Sequence, residues 1–282
     1  MSELPGPMTP SQTQTIGGLY AETFLPTSAP KGVVVITHGY MEHCGRYREV
    51  AHVIVNSGWA ALAYDVRGHG HSPGERGYID AFSTYVSDLH AMIAAARALA
   101  PGGPVVLLGH SNGGLITMRA MTSDTPPDVR AAIVSSPFLA LKLPVPAWRK
   151  AAARVASKLA PKLPQREKLR VDHLTSDRAK QAEREADTLC FDHATPRWYT
   201  EMSEAQAYVL AHAGRVRVPT TWLVGGDDPI ADPARSRTVA SKVPGATYHD
   251  LVGLRHEVFN EADRARVFEK LTEALAGMLA SA

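Results

Sequence analysis

Continuous apolar runs that end in turn residues recur along the first half of the chain. They are GVVVITHG (32–39), WAALAYDVRGHG (59–70), PVVLLGHS (104–111) and VRAAIVSSP (129–137). Because the apolar residues do not alternate with polar ones, the pattern predicts strands that are buried on both faces. Two segments between these runs, 46–58 and 82–100, repeat apolar residues at helical spacing. Strand and helix therefore alternate, which predicts an α/β fold with a mostly parallel central sheet flanked by helices.

The alternation stops after the fourth of these strands. Residues 138–205 are rich in Ala, Lys, Arg and Pro, and their spacing predicts helices but no strand. Strands return at VPTTWLVGG (218–226) and ATYHDLV (246–252), and a helical pattern closes the chain. We therefore predict a core in two parts, 1–137 and 206–282, which carries a helical insertion at 138–205.

Composition limits the class of protein. With 45% hydrophobic and 21% charged residues among 282, the chain has the balance of a soluble globular protein with a sizeable core. Its net charge of +2 is too small to predict nucleic acid as a partner. Cys44 and Cys190 form neither a disulfide framework nor a metal-type spacing, and nothing predicts a metal or a cofactor.

The N-terminal segment has no marks of a targeting signal. The first 14 residues are rich in Pro, Ser and Thr and are predicted to be poorly ordered. They contain neither a basic nor an apolar signal-peptide region, and no run of about 18 apolar residues follows anywhere. We therefore predict a cytoplasmic protein with no transmembrane segment.

One serine has the sequence context of a nucleophile. Gly109-His110-Ser111-Asn112-Gly113 follows an apolar run and precedes a helical pattern. A serine in such a sharp strand-to-helix turn exposes its hydroxyl, and small residues two positions before and after it relieve the crowding. The alternative is a glycine-rich turn with an incidental serine. A dinucleotide-binding loop is disfavoured, because the segment lacks G-x-G-x-x-G.

An activated serine needs a base, and the base needs an orienting acid. In a fold of this type the chain order is serine, acid, histidine, so the base is expected after the aspartates at 227–232. His249 lies in the alternating pattern TYHDLV and is predicted to be a strand residue. His256 lies between a strand and a helix, where its side chain can reach over the sheet edge, and we predict it as the base.

Three carboxylates follow one strand in the segment LVGGDDPIAD (223–232). Asp232 precedes a proline and a helical pattern, so it is predicted to cap that helix. Asp228 also precedes a proline, which holds it extended as the chain leaves the strand, and Asp227 then points elsewhere. This local pattern favours Asp228 as the acid without deciding the matter.

Several longer motifs occur in a fixed order along the chain. They are THGYMEHCGRYREVA (37–51), YDVRGHGHSPGERGYI (64–79), LLGHSNGG (107–114), GGDDPIAD (225–232) and GLRHEVFNE (253–261). This set resembles the monoglyceride lipase and lysophospholipase group of α/β-hydrolases, over about residues 17–275. The resemblance implies an α/β-hydrolase fold in which the helical insertion forms a cap over the nucleophile.

The resemblance also implies the remaining site residues. The G-x-x-D spacing of the group leads from Gly225 to Asp228 as the acid, and the backbone N–H groups of Tyr40 and Asn112 are implied as oxyanion donors. Asn112 departs from the motif, in which methionine is usual, so the packing near the acyl group is expected to differ. The charged residues of the two loop motifs are expected to hold the loops rather than to react.

The insertion contains a basic amphipathic segment, VPAWRKAAARVASKLAPKL (145–163). Lys150, Arg154 and Lys158 form a stripe beside an apolar face that includes Trp148. The pattern predicts either contact with an anionic lipid surface, which would make the protein peripherally membrane-associated, or a solvated face whose apolar side covers the active site.

These features predict a serine carboxylic-ester hydrolase that forms an acyl-enzyme. Its substrate is expected to be a small single-chain acyl ester, such as a monoacylglycerol or a lysophospholipid. The alternatives are a peptidase or thioesterase with the same three catalytic residues, or a non-catalytic binding protein that keeps the fold. The last alternative normally accompanies the loss of a catalytic residue, and none is missing here.

Overall fold

An eight-stranded sheet forms the centre of the molecule. The computed structural model describes residues 4–167 and 169–280. The strands, including two short ones outside this sheet, are β1 (Gln12–Ile16), β2 (Leu19–Phe24), β3 (Val33–Thr37), β4 (Ala60–Tyr64), β5 (Val105–His110), β6 (Ala131–Ser135), β7 (Gln165–Arg166), β8 (His193–Ala194), β9 (Thr220–Gly225) and β10 (Ala246–Leu251). Their order across the sheet is β1-β2-β4-β3-β5-β6-β9-β10. β1, β2 and β4 pair antiparallel, and all pairs from β4 to β10 are parallel, so the predicted mostly parallel sheet is confirmed.

Helices cover both faces of this sheet. In the described part of the chain they are α1 (Arg48–Asn56), α2 (Phe82–Leu99), α3 (Asn112–Met121), α4 (Ala147–Leu159), α5 (Val171–Leu174), α6 (Arg178–Ala186), α7 (Pro196–His212), α8 (Pro233–Ala240) and α9 (Ala265–Ala280). One group of buried side chains joins the sheet to α2, α3 and α7, and another joins it to α1 and α9. Every residue of β3, β4, β5 and β6 is therefore buried, as the continuous apolar runs predict.

The first strand begins inside a segment that the sequence predicts to be poorly ordered. Residues 1–14 are predicted to be poorly ordered, but β1 begins at Gln12 and pairs antiparallel with β2, with Gln12 opposite Thr23. This strand lies at the sheet edge and is partly exposed, so its sequence QTQTI has little apolar pattern. The backbone hydrogen bonds that hold it do not depend on side-chain type. Residues 1–3 of the prediction lie outside the described part of the chain.

Residues 138–205, called the cap below, fold as α4, α5, α6 and the first part of α7. The prediction that they contain no strand is wrong, because β7 and β8 pair as a two-residue antiparallel ribbon. α7 begins at Pro196, where the Thr195 hydroxyl accepts a hydrogen bond from the Trp198 N–H. The helix continues to His212, past the predicted boundary at residue 205, so the limits of the insertion stay a prediction.

The apolar side of α4 faces solvent. Trp148 is 67% exposed and Leu159 is 81% exposed, and the three basic residues of the stripe are exposed as well. A different side of the helix packs on α7, where the Ser157 hydroxyl lies 2.9 Å from the Thr200 hydroxyl. The apolar side of this helix is therefore not packed against the rest of the protein, and the alternative in which it covers the active site stays a prediction. No helix within 4–167 or 169–280 combines the length and the apolar character needed to cross a bilayer.

Candidate active site

Ser111 lies in the tight turn between β5 and α3. Its backbone has φ 50° and ψ −115°, a conformation that residues other than glycine rarely adopt. Gly113 packs so closely on the neighbouring strand that a Cβ atom there would lie 2.0 Å from the Thr37 carbonyl oxygen. The turn thus places the serine at the carboxyl end of a central parallel strand, where open α/β sheets form their sites.

The three residues predicted as nucleophile, base and acid are in hydrogen-bonding contact. His256 Nε2 lies 2.9 Å from Ser111 Oγ, and His256 Nδ1 lies 2.7 Å from Asp228 Oδ2. Asp228 follows β9 and His256 follows β10, so adjacent strand ends bring them together. The other carboxylate oxygen of Asp228 accepts from the N–H groups of Ile230 and Ala231, which fixes its orientation. Ser111, Asp228 and His256 are all buried.

The two neighbouring aspartates have different surroundings. Asp227 is exposed to solvent. Asp232 accepts a hydrogen bond from the Ala234 N–H at 3.1 Å and caps α8, as predicted from the proline that follows it. Of the three carboxylates in this segment, Asp228 is the one that contacts His256.

Two backbone segments that carry the predicted oxyanion donors lie beside the serine. Asn112 is the first residue of α3, where N–H groups have no partner within the helix. The N–H of Tyr40, in the loop after β3, makes no hydrogen bond to another residue within 4–167 or 169–280. A Cβ atom on Gly39 would lie 3.2 Å from Ser111 Cβ, so this loop passes directly against the nucleophile.

His38 holds the peptide that contains the Tyr40 N–H. Its Nε2 accepts from the Val66 N–H at 2.9 Å, so the ring hydrogen is on Nδ1, which donates to the Gly39 carbonyl at 2.7 Å. Burial is the main influence on this ring and lowers the pKa of His38, which keeps it neutral. Because the Gly39 carbonyl and the Tyr40 N–H belong to one planar peptide, His38 sets the direction in which that N–H points.

Glu42 holds the other side of the same loop. It accepts from the Gly39 N–H at 2.6 Å and from Arg46 Nε at 3.0 Å. Burial raises the pKa of Glu42, but Arg46 and then other neighbours outweigh it and lower the pKa to about 2. Arg46 also donates to Glu257, the residue after His256. This ionised network joins the two loops, as expected for charged residues that hold loops rather than react.

The pKa of His256 is raised above its ordinary value. Burial is the largest single influence and lowers this pKa. The charge and hydrogen bond of Asp228 and the charges of Glu257 and Glu42 raise it, and together they outweigh burial. The ring of His110 has its centre 5.0 Å from that of His256. Burial, followed by the nearby charge of His256, lowers the pKa of His110 to about 4. The site therefore combines one basic imidazole with one that stays neutral.

The side chain of Asn112 is fully buried, and neither its Nδ2 nor its Oδ1 has a hydrogen-bond partner among the described residues. An unpaired buried polar group costs about 1–3 kcal/mol. Asn112 is also the residue that departs from the motif, in which methionine is usual, so this cost arises from that departure.

Sequence reasoning missed the contacts between the cap and the loop that carries Tyr40. The Tyr40 ring stacks on Trp198 of α7 with ring centres 3.6 Å apart, and its hydroxyl donates to the His193 carbonyl at 3.1 Å. Arg184 of α6 donates to the Met41 carbonyl at 2.7 Å. These two hydrogen bonds join residues 153 and 143 positions apart, and no motif marks the cap partners.

One group of possible metal ligands joins the cap to the core. Ligand atoms of His43, Asp187 and Cys190 lie within 4.8 Å of one another. His43 Nδ1 accepts from the Gly45 N–H, so Nε2 carries the ring hydrogen and donates it to Asp187 at 2.7 Å. Burial raises the pKa of Cys190 to about 12, which keeps the thiol protonated. The three residues therefore form a hydrogen-bonded contact rather than a set of free ligands.

Comparisons with known proteins identify the family. A family model described as serine aminopeptidase, S33, matches residues 28–263. A monoacylglycerol lipase from Mycolicibacterium smegmatis is 32% identical over 262 residues, which cover 91% of this chain and 93% of that protein. Phospholipase YtpA from Bacillus subtilis is 31% identical over 245 residues, which cover 85% of this chain and 93% of that protein.

Solved structures agree with this assignment. A monoacylglycerol lipase from Paleococcus ferrophilus superposes with a TM-score of 0.81 at 27% identity, covering 92% of this chain and 99% of that one. A soluble variant of monoglyceride lipase from Saccharomyces cerevisiae has a TM-score of 0.83 at 22% identity, covers 96% of both chains and bears on the fold alone. The chain therefore belongs to the serine aminopeptidase S33 family of α/β-hydrolases, as one of its members similar to monoglyceride lipases and lysophospholipases.

Proposed function

We propose that this protein is a serine ester hydrolase in which Ser111, His256 and Asp228 form the catalytic triad. The observation that carries the proposal is the unbroken pair of hydrogen bonds, 2.9 Å between Ser111 and His256 and 2.7 Å between His256 and Asp228. His256 removes the serine proton as the hydroxyl attacks the ester carbonyl, and then gives that proton to the leaving alcohol. The acyl-enzyme is hydrolysed by a water molecule that His256 activates. Asp228 orients the ring and stabilises the imidazolium form.

The negative charge that develops on the carbonyl oxygen is assigned to the N–H groups of Tyr40 and Asn112. Support comes from the close approach of the Gly39 segment to Ser111 and from the position of Asn112 at the start of α3. The amino end of a helix favours negative charge, and preorganised donors stabilise the transition state more than the substrate.

Replacement of the nucleophile tests the triad. Ser111→Ala removes the attacking oxygen with little change in volume, so ester hydrolysis is expected to fall by about 10⁶-fold while the fold is kept. Wild-type protein is expected to bind one organophosphate covalently per chain, and the variant none. Retained turnover in the variant would overturn the mechanism, and an unlabelled wild-type protein would favour a non-catalytic binding role.

For the substrate we propose single-chain lipid esters, namely monoacylglycerols and lysophospholipids. The names of the relatives from M. smegmatis and B. subtilis, a monoacylglycerol lipase and a phospholipase, support this class. Each acyl methylene buried in an apolar site contributes about 0.8 kcal/mol. We therefore expect kcat/KM to rise with acyl length until the pocket is filled and then to level off, measured on both lipid types and on nitrophenyl esters. Rates that do not depend on acyl length would contradict the proposal.

A peptidase is the second candidate, because the matching family model is described as a serine aminopeptidase. Glu42, a buried carboxylate in the loop that carries Tyr40, is already paired with Arg46, which argues against its use as a site for a free amino group. Aminoacyl nitroanilides compared with the esters above distinguish the two activities. Faster cleavage of an anilide than of every ester would favour the peptidase.

For the surface of the cap, we propose contact with an anionic lipid interface. Six of the nine large apolar side chains that the described residues expose lie between positions 141 and 163. Lys150, Arg154 and Lys158 are exposed on an adjacent side of α4. Exposed apolar and basic side chains on one helix suit the interface of a negatively charged membrane. Binding to vesicles with and without anionic lipid measures this contact. Equal binding to both types, or binding to neither, would count against it.

A further inference from the structure

The loop that carries the proposed oxyanion donor Tyr40 is held from two sides. On the core side, His38 and Glu42 bind the carbonyl and the N–H of Gly39. These contacts fix the first half of the loop. The second half, at Met41, is held by the cap.

Two cap residues donate hydrogen bonds to the same carbonyl. Arg184 Nη2 lies 2.7 Å from the Met41 carbonyl oxygen, and the Phe191 N–H lies 3.4 Å from it. Arg184 forms no ion pair with a carboxylate in the part of the chain that the structure describes. The half-buried guanidinium of Arg184 thus donates to a single backbone carbonyl, in the residue next to the proposed oxyanion donor Tyr40.

Met41 has a backbone conformation that needs such support. Its φ is 64°, in the left-handed region that a methionine rarely adopts, and its side chain is buried. A residue in this region keeps its conformation only when its surroundings impose it. If the Met41 carbonyl loses its donors, the residue is free to return to negative φ. That rotation would turn the Tyr40–Met41 peptide and, through Tyr40, strain the Gly39–Tyr40 peptide that His38 holds.

We propose that Arg184 is a positioning residue, which holds the Tyr40 N–H in the oxyanion site by fixing Met41 in its left-handed conformation. The cap then serves the chemical step itself. This inference rests on the proposed function, because it assigns a role within the same reaction. It predicts that a change in the cap lowers kcat even for a substrate too short to contact the cap.

The test compares Arg184→Met with Lys180→Met. Both residues lie on α6 and reach the core, but Lys180 forms ion pairs with Glu49 and Glu183 and no hydrogen bond with the Tyr40 loop. Loss of one oxyanion donor costs about 10²–10³ in kcat, so partial misplacement of the donor in Arg184→Met is expected to lower kcat by about 10- to 100-fold. The substrate is nitrophenyl acetate, and rates are expressed per active site, titrated with an organophosphate. KM is expected to change by less than about threefold in Arg184→Met, and kcat by less than about twofold in Lys180→Met.

Further variants keep the test decisive if Arg184→Met folds poorly. Arg184→Lys can still donate to the carbonyl and is expected to keep most of kcat, whereas Arg184→Leu, which has no donor, is expected to lose it. In a Met41→Gly background the left-handed conformation costs little, so removing Arg184 is expected to reduce kcat less than in the wild type.

Three results would overturn the inference. They are a change confined to KM or to long-chain esters, an equal loss of kcat in Lys180→Met, and an undiminished effect of Arg184 in the Met41→Gly background. Each of these leaves the proposed function intact, because that function is tested separately by Ser111→Ala and by organophosphate labelling.

Discussion

At the scale of single residues, Asp227 and Asp228 are adjacent in sequence and have opposite surroundings. Asp228 is buried against His256, whereas Asp227 is exposed. Asp228→Asn is expected to lower kcat by about 10⁴-fold, because an amide cannot stabilise the imidazolium and favours the wrong ring tautomer. Asp227→Asn, the matched control, is expected to leave kcat within about twofold. Steady-state kinetics on one ester compare the two, and the reverse order of loss would assign the acid to Asp227.

The raised pKa of His256 predicts the pH dependence of the reaction. The ring must be neutral to accept the serine proton, so activity is lost as the pH falls through the pKa of His256. Because this pKa is raised from 6.5, the acid limb of kcat/KM is expected to have its midpoint above pH 6.5. Removing the carboxylate charge in Asp228→Asn is expected to move the midpoint to lower pH in the residual activity. A wild-type midpoint below 6.5 would contradict the raised pKa of His256.

The buried carboxamide of Asn112 predicts a gain in stability on substitution. Asn112→Met removes two polar atoms that have no partner among the described residues, so the free energy of unfolding is expected to rise by about 1–2 kcal/mol. Oxyanion binding is assigned to the backbone N–H, so hydrolysis of a short ester is expected to change little. Denaturant unfolding measures the effect, with Asn112→Ala as the variant that removes the same atoms but leaves a cavity. A less stable Asn112→Met protein would show that the carboxamide has hydrogen-bonded water or that the larger side chain is overpacked.

At the scale of elements, the exposed faces of α4 predict two kinds of loss in lipid binding. Changing Lys150, Arg154 and Lys158 together to Gln is expected to weaken binding to anionic vesicles by up to about 100-fold at low salt, since each basic residue near such a surface contributes about 1 kcal/mol. Changing Trp148 and Leu159 to Ser is expected to weaken binding at every salt concentration, because apolar contact is not screened.

Vesicle sedimentation measures both effects, and hydrolysis of a soluble short ester is the control that is expected to stay unchanged. If both sets of variants bind like the wild type, α4 is an ordinary solvated surface. If both lose hydrolysis of the short ester, the helix supports the fold of the cap instead.

The elements also show what sequence patterns could and could not predict. Strands buried on both faces, such as β3 and β5, appear as continuous apolar runs and were predicted to within two residues. β1 has a polar sequence because it lies at an edge, and β7 is too short to produce a period. The pattern of apolar residues within a segment reflects which side chains are buried. It therefore cannot identify strands that are held only by backbone hydrogen bonds.

Some residues of the candidate site could likewise be predicted from the sequence, and others could not. Ser111 and His256 lie in local motifs that reflect a turn and a strand end, and the structure brings them into contact. The proline after Asp228 favoured it over Asp227 without deciding the matter, and the choice also needed the G-x-x-D motif of the family that the chain resembles. The contact between Arg184 and Met41 joins a cap helix to a loop 143 residues away, and neither segment has a sequence feature that depends on the other.

At the scale of the whole molecule, the ionised network around Glu42 predicts sensitivity to acid. The pKa of Glu42 is lowered from 4.5 to about 2, so its charge stabilises the fold above pH 4.5 and this stabilisation is lost as the pH falls towards 2. Glu42→Gln is expected to unfold at lower temperature than the wild type at pH 7, with a difference that shrinks below pH 4.5. Exposed Glu273→Gln is the control with little effect at any pH. A difference for Glu42→Gln that is constant across pH would contradict the role of its charge.

The strand order has a consequence for the time at which the enzyme becomes active during its synthesis. β6 and β9 are neighbours in the sheet, but the whole cap lies between them in the chain. His256 is made 145 residues after Ser111, which at about 5–20 residues per second corresponds to roughly 7–30 seconds on the ribosome. Throughout that interval the serine turn lacks its base, and for most of it the acid as well, so the nascent chain cannot form an acyl-enzyme by the proposed mechanism. The proposed ester hydrolysis would therefore begin only after the last two parallel strands have joined the sheet.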